Sequence, residues 1–89
     1  MPYIKNDEQK QAIDAALSTL PDIERPGELN YCLTQLMLLF VRGKDNDCPL
    51  AYSVMNAAIG ACECAKAEFI RRVLSPYEDE KAKENGDVF

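Results

Sequence analysis

The stretch Tyr52–Asp87 decides the fold: it reads YSVMNAAIGACECAKAEFIRRVL over 52–74 and SPYEDEKAKENGD over 75–87. The first part has helical periodicity. On a wheel of about 100° per residue, Met55, Ile59, Cys62, Phe69, Ile70 and Val73 fall in one broad sector. That pattern predicts a core-facing stripe. A second sector holds the small residues Ala57, Gly60, Ala61, Cys64 and Ala67, which let a neighbouring helix come close. Gly60 costs about 1 kcal/mol against alanine in a helix interior, so close backbone approach is its expected purpose.

Asn56 and Glu63 nearly align on this helix, and Lys66 stands one turn beyond Glu63. The three can line a pocket between helices, or Glu63 and Lys66 can form an i,i+3 ion pair while Asn56 bonds a backbone carbonyl. Arg71 and Arg72 close the helix, where cations complement the dipole. Ser75, Pro76 and Glu78 then have the pattern of a capping box with proline at the first helical position. The proline also pushes Ser75 out of the α region. A chain break at Ser75 is therefore expected, followed by a short polar helix ending at Asn85-Gly86.

Working outward, Asn6 caps a first helix with Gln9 three residues on. Ile13, Ala16, Leu17 and Leu20 supply its apolar face. Met1–Ile4 reads as an extended lead, and residues 21–27 as a linker with two prolines and a glycine. The next helix runs from about Glu28 to Arg42, with Leu29, Leu33, Leu36 and Phe40 as its expected core stripe. Residues 36–41 (LMLLFV) are apolar without interruption. Six residues turn roughly 600°, so every face is covered. A domain this small cannot wrap a helix on all sides, and the surplus face should meet another subunit or a partner. Met37, Leu38 and Val41 are the expected oligomer contacts. Residues 43–49 (GKDNDCP) read as a solvated loop, lacking the length and terminal glutamate of a calcium loop. The expected fold is all-α: a small bundle of three main helices near 6–20, 28–42 and 52–74, a short C-terminal helix near 76–85, and one domain over 1–89.

A chain of 89 residues is marginal alone, and oligomerisation addresses that. Its net charge of −5 argues against nonspecific binding to nucleic acid or anionic membranes. No apolar run approaches the roughly 20 residues of a membrane span. The absence of histidine removes the commonest general base and zinc ligand. Cys32, Cys48, Cys62 and Cys64 contain no CxxC pair, and Cys62 and Cys64 point about 200° apart on a helix. Buried free thiols are expected, with no metal and no cofactor. No signal peptide is visible, which places the expectation in the cytoplasm.

The chain resembles a small protein family found in phages and bacteria. The likeness rests on the Met1-Pro2-Tyr3-Ile4 start and the segment Pro26-Gly27-Glu28-Leu29-Asn30-Tyr31. It extends to the stretch from Glu63 to Arg72 and to the endings Pro76-Tyr77-Glu78-Asp79-Glu80-Lys81 and Glu84-Asn85-Gly86-Asp87-Val88. The chain departs from the pattern at Ile70 and Phe89, where the resemblance implies tyrosines. The resemblance implies a phage or prophage setting, in a bacterial host, and carries no activity with it.

Three functional readings follow. The first is a non-catalytic helical oligomer that binds a host protein or a nucleotide. In the ligand version Lys66, Arg71 and Arg72 supply charge to phosphates, and Tyr31 or Tyr77 stacks a base, with Asn56 and Glu63 nearby. Sequestering a nucleotide signal against host defence fits that description. The second is a magnesium-dependent all-α nucleotide pyrophosphatase using Glu63, Glu68, Glu78 and Asp79. Glu63 and Glu68 lie about 140° apart on the helix, so they cannot share one ion. The third is an accessory protein without a small ligand, in which Arg71 or Arg72 clamps Glu68, Glu78 or Asp79 to fix an interhelical angle.

Overall fold

Asn6 starts the first helix as its chemistry dictates. Its backbone is extended, and its Oδ1 accepts from the Gln9 amide at 3.1 Å. The computed structural model describes residues 3–89. Of the expected extended lead, Met1 and Pro2 lie outside the described residues, and Tyr3 and Ile4 belong to no helix or strand. Helix α1 spans Asp7–Leu17. It ends three residues before the expected limit, because Ser18 and Thr19 draw their hydroxyls onto the Ala15 and Ala16 carbonyls, both at 2.7 Å. Side chains thereby compete with the helical ladder for the last acceptors.

Helix α2 spans Pro26–Arg42, so it begins inside the expected linker. Pro26 has no N–H to waste at a first helical position. Glu28 reaches back and accepts from the Glu24 and Arg25 amides at 3.0 and 2.9 Å. Gly43 terminates α2 with φ +77°, donating its N–H to the Leu39 carbonyl at 2.8 Å. That backbone conformation needs glycine, and a Cβ there would stand 3.2 Å from the Cys48 Sγ. The loop after it is tied back by the Cys48 amide on the Arg42 carbonyl at 3.1 Å.

Helix α3 spans Tyr52–Phe69, a π-helical turn follows over Ile70–Leu74, and α4 spans Ser75–Asn85. The expected break at Ser75 does not occur. Ser75 sits at φ −62°, ψ −45°, within the α region, and its side chain makes no cap. Its N–H instead reaches five residues back, to the Ile70 carbonyl. The physical account lies in Pro76. An in-helix proline ring collides with the carbonyl four residues before it and removes one ladder bond. Widening the preceding turn by one residue relieves that collision without ending the helix. The capping signal at Ser75-Pro76 thus marks a π turn in one long helix. The short C-terminal helix is joined to the third.

The chain divides into two units, Tyr3–Ile59 and Gly60–Phe89, and α3 passes from one to the other. Neither unit has an interior like the one the sequence suggested. In the first, Ala58 is the one buried residue among those described, with Cys32, Met37, Val41, Gly43 and Val54 half-buried. In the second, none is buried, and Cys62, Glu68 and Ala82 are half-buried. The covered face of α3 is rotated by roughly 70° from the expected stripe, and Cys62 is common to both. Met55, Ile59, Phe69, Ile70 and Val73 are exposed, while the covered face is Val54, Ala58 and Cys62 at i, i+4, i+8. The α2 stripe Leu29, Leu33, Leu36 and Phe40 is exposed as well. Gly60 meets nothing within 4 Å where a Cβ would stand, so no close approach inside the chain accounts for it. The chain is helical as expected, with no strand among the described residues.

All four cysteines are free. Cys32 and Cys62 are half-buried, but Cys48 and Cys64 are exposed, against the expectation of buried thiols. Cys48 leaves the helical scaffold for the loop after α2, and Cys64 lies on the small-residue face that no segment of its own unit covers. Cys48 and Cys64 are expected to react with iodoacetamide well before Cys32 and Cys62. Mass mapping of a labelling time course checks that order.

Candidate functional site

Lys66, Arg71 and Arg72 lie in the unit Gly60–Phe89, on different faces of the helix: Lys66 and Arg71 are five residues apart, about 140° around it. Arg71 forms a two-pronged bond with Glu68 on the same helix: Nε to Oε1 at 2.9 Å and a terminal nitrogen to Oε2 at 3.0 Å. Residues at i,i+3 stand on one face, and the planar guanidinium matches the carboxylate. Glu68 is the more covered partner, at 26% against 63% side-chain exposure for Arg71. The pair is a clamp, as one expectation had it, but it lies within one helix. No chain reversal at Ser75 brings Glu78 or Asp79 back to the guanidiniums, so it fixes no interhelical angle.

Lys66 and Glu63 approach to 3.9 Å as a loose, exposed i,i+3 pair. In high dielectric such a pair contributes little, and it leaves both groups open to other partners. Arg72 is exposed and has no ion pair or hydrogen bond among the described residues.

Tyr77 is exposed on α4, and one face of its ring is engaged by Lys81, whose Nζ lies 5.6 Å from the ring centroid. Lys81 also bonds Glu84 at 3.2 Å. Lys81 was not among the residues singled out from the sequence. Its i,i+4 spacing from Tyr77 was the available signal.

Tyr31 and Asn56 belong to the other unit, Tyr3–Ile59. Asn56 is exposed, and its side chain makes no hydrogen bond among the described residues. Tyr31 lines an apolar concavity of about 480 Å³ with Leu17, Leu20, Cys32, Leu36 and Leu39. Its surroundings there suit an apolar side chain better than a phosphate. Met37 and Val41, expected at the oligomer contact, are half-buried within the chain, whereas Leu38 is exposed.

The carboxylates weighed for magnesium are dispersed. Glu63 is loosely paired with Lys66 and Glu68 is held by Arg71, while Glu78 and Asp79 line a concavity with Asn85, Asp87, Val88 and Phe89 at the end of α4. Among the described residues, no three acidic or sulfur side chains converge as a metal site would require. Residues 1–88 match the family model described as a domain of unknown function, DUF6899. This chain belongs to the DUF6899 family. No curated protein and no solved structure matches it. The DUF6899 match spans both units, so the exposed apolar faces and the cationic stretch of α3 fall within one family domain. Among the described residues, no helix of this DUF6899 chain is long and apolar enough to cross a membrane.

Proposed function

We propose that this chain is a non-catalytic helical protein that works as a homo-oligomer and binds a small phosphorylated ligand, a nucleotide signal, in the cytoplasm of a bacterial host. The observation that carries the reading is the missing interior. Among the described residues, Ala58 is the one buried residue of the unit Tyr3–Ile59, and none is buried in the unit Gly60–Phe89. Helices with this much uncovered apolar surface are stable when copies cover one another. Catalysis is disfavoured by the dispersal of the candidate carboxylates, with Glu63 and Glu68 about 140° apart on one helix and Glu68 paired with Arg71.

The ligand reading rests on Arg72. A guanidinium without a carboxylate, beside a paired Arg71 and one turn or more from Lys66, is a fork for phosphate. Assembly of copies would gather several such forks into one site. In the phage setting that the sequence resemblance suggests, sequestering a host nucleotide signal is the action such a site serves.

Two measurements test this. Native mass spectrometry of protein purified from cells is expected to show an oligomer, and any retained ligand with it. A thermal-shift screen of mono-, di- and cyclic nucleotides is expected to raise the melting temperature of the parent. A ligand at 100 times its dissociation constant stabilises by about 2.7 kcal/mol. Arg72→Lys keeps the charge and loses the bidentate geometry, so its own melting should be near that of the parent while the nucleotide shift is lost. Arg71→Lys should lower the melting temperature slightly through its bond to Glu68. A monomeric parent that no nucleotide stabilises would end the proposal.

A further inference from the structure

Two concavities of the unit Tyr3–Ile59 adjoin along α2. The first, of about 480 Å³, is walled by Leu17 and Leu20 from the end of α1 and the turn after it, and by Tyr31, Leu36 and Leu39 from α2. The second, of about 310 Å³, lies toward the end of α2 and is lined by Arg42, Lys44 and Asn46. Gln35 and Leu39 line both. From Tyr31 to Arg42 the helix rises about 16 Å. The joined groove is therefore apolar at one end and cationic at the other.

The turn after α2 decides which charges reach the groove. The Asn46 N–H donates to the Gly43 carbonyl at 3.1 Å, and Asn46 holds φ +56°, a left-handed conformation that asparagine tolerates better than most residues. Lys44 and Asn46 line the groove, whereas the acids of the same turn, Asp45 and Asp47, do not. Arg42 and Lys44 have no ion pair or hydrogen bond among the described residues. The Leu39 and Arg42 carbonyls at this helix end accept from the Gly43 and Cys48 amides, so they are not what the cations serve. The chain has a net charge of −5, yet both charged residues lining this groove are cations and no carboxylate lines it.

We infer that this groove binds a single-chain amphipathic anion of the fatty-acid class. Its alkyl chain lies against Leu17, Leu20, Leu36 and Leu39, and its carboxylate lies between Arg42 and Lys44. The inference depends neither on Arg72 nor on self-association. The four leucines are about half exposed, at 46–53%, and each methylene laid on them leaves water. A guanidinium matches a carboxylate with two parallel hydrogen bonds. Volumes of this order hold a small molecule, with an apolar lining for its bulk and a few polar groups to orient it.

Isothermal titration calorimetry of the full chain with decanoate and with decanol, both below micelle-forming concentrations, tests this. Decanoate is expected to bind saturably and at least about tenfold more tightly than decanol, the factor that a charged hydrogen bond supplies. Arg42→Gln combined with Lys44→Gln is expected to remove that difference, with decanol binding and circular dichroism as in the parent. Should the double variant lose helicity, Lys44→Gln alone, outside α2, carries the same expectation in smaller degree. Leu20→Gln is expected to weaken both ligands. Equal affinity for the two ligands in the parent would overturn the inference, as would decanoate binding that survives the loss of both cations. Absence of saturable decanoate binding would also overturn it, and if Leu20→Gln then dissociates an oligomer, the groove is a contact between copies.

Discussion

The double variant Leu33→Glu, Leu36→Glu is expected to sediment as a monomer and to lose most of its helical signal. Where copies of the chain cover the stripe Leu29, Leu33, Leu36 and Phe40, these substitutions bury two carboxylates per chain against an apolar face. Each costs several kcal/mol without a partner, and the whole stability of a small protein is about 5–15 kcal/mol. The loss should be larger than for most surface changes because the chain has nothing else to fold on. Ala58 is its one buried residue among those described, and an isolated helix of the length of α1 is marginal in water. Gln35→Glu provides the control. It adds half as much charge to the same helix, about 130° from the centre of the stripe Leu29, Leu33, Leu36 and Phe40, and is expected to leave association and melting unchanged. Analytical ultracentrifugation and thermal melts at matched concentration check both variants, since the melting of an oligomer depends on concentration. A double variant that sediments and melts like the parent would show that the stripe stays solvent-exposed in the working protein.

Pro76→Ala is expected to raise stability by on the order of 1–3 kcal/mol, several degrees in melting temperature for a chain of this size. The sign carries the information. Pro76 lies inside a continuous helix, one residue after the Ser75 N–H that reaches back to Ile70. Alanine there restores an amide donor and removes the ring that the π turn accommodates. Were Ser75 a true helix start, proline would be favoured at the next position and alanine would be neutral or destabilising. The same variant should rotate Tyr77 and Lys81 relative to Arg71 and Arg72, because one residue leaves the wide turn. If Arg72 and Tyr77 contact the same ligand, nucleotide affinity should fall as stability rises. Calorimetry and the nucleotide thermal shift, run on one preparation, separate the two effects.

Several features were legible in the chain itself. Asn6 and Gly43 mark helix ends by local chemistry: an oxygen within reach of the Gln9 amide, and a backbone conformation that glycine alone adopts readily. The helical periods of 28–42 and 52–74 gave the elements and their type. The i,i+3 pairs Glu63–Lys66 and Glu68–Arg71 follow from spacing alone, since one helix sets their geometry. Each of these depends on interactions a few residues long, which sequence order already encodes.

The tertiary structure decided what apolar residues cover and where the chain turns. Periodicity identifies an apolar face without saying what lies against it. The stripe at Leu29, Leu33, Leu36 and Phe40 therefore read as core although the chain leaves it open, and Met37 and Val41 read as surplus although they are half-buried. Ser75-Pro76 has one local signature for two outcomes, a capped start and a π turn. Which one forms depends on whether the backbone upstream can widen around the proline ring. Here it does, between Ile70 and Ser75, and the helix that should have folded back continues to Asn85.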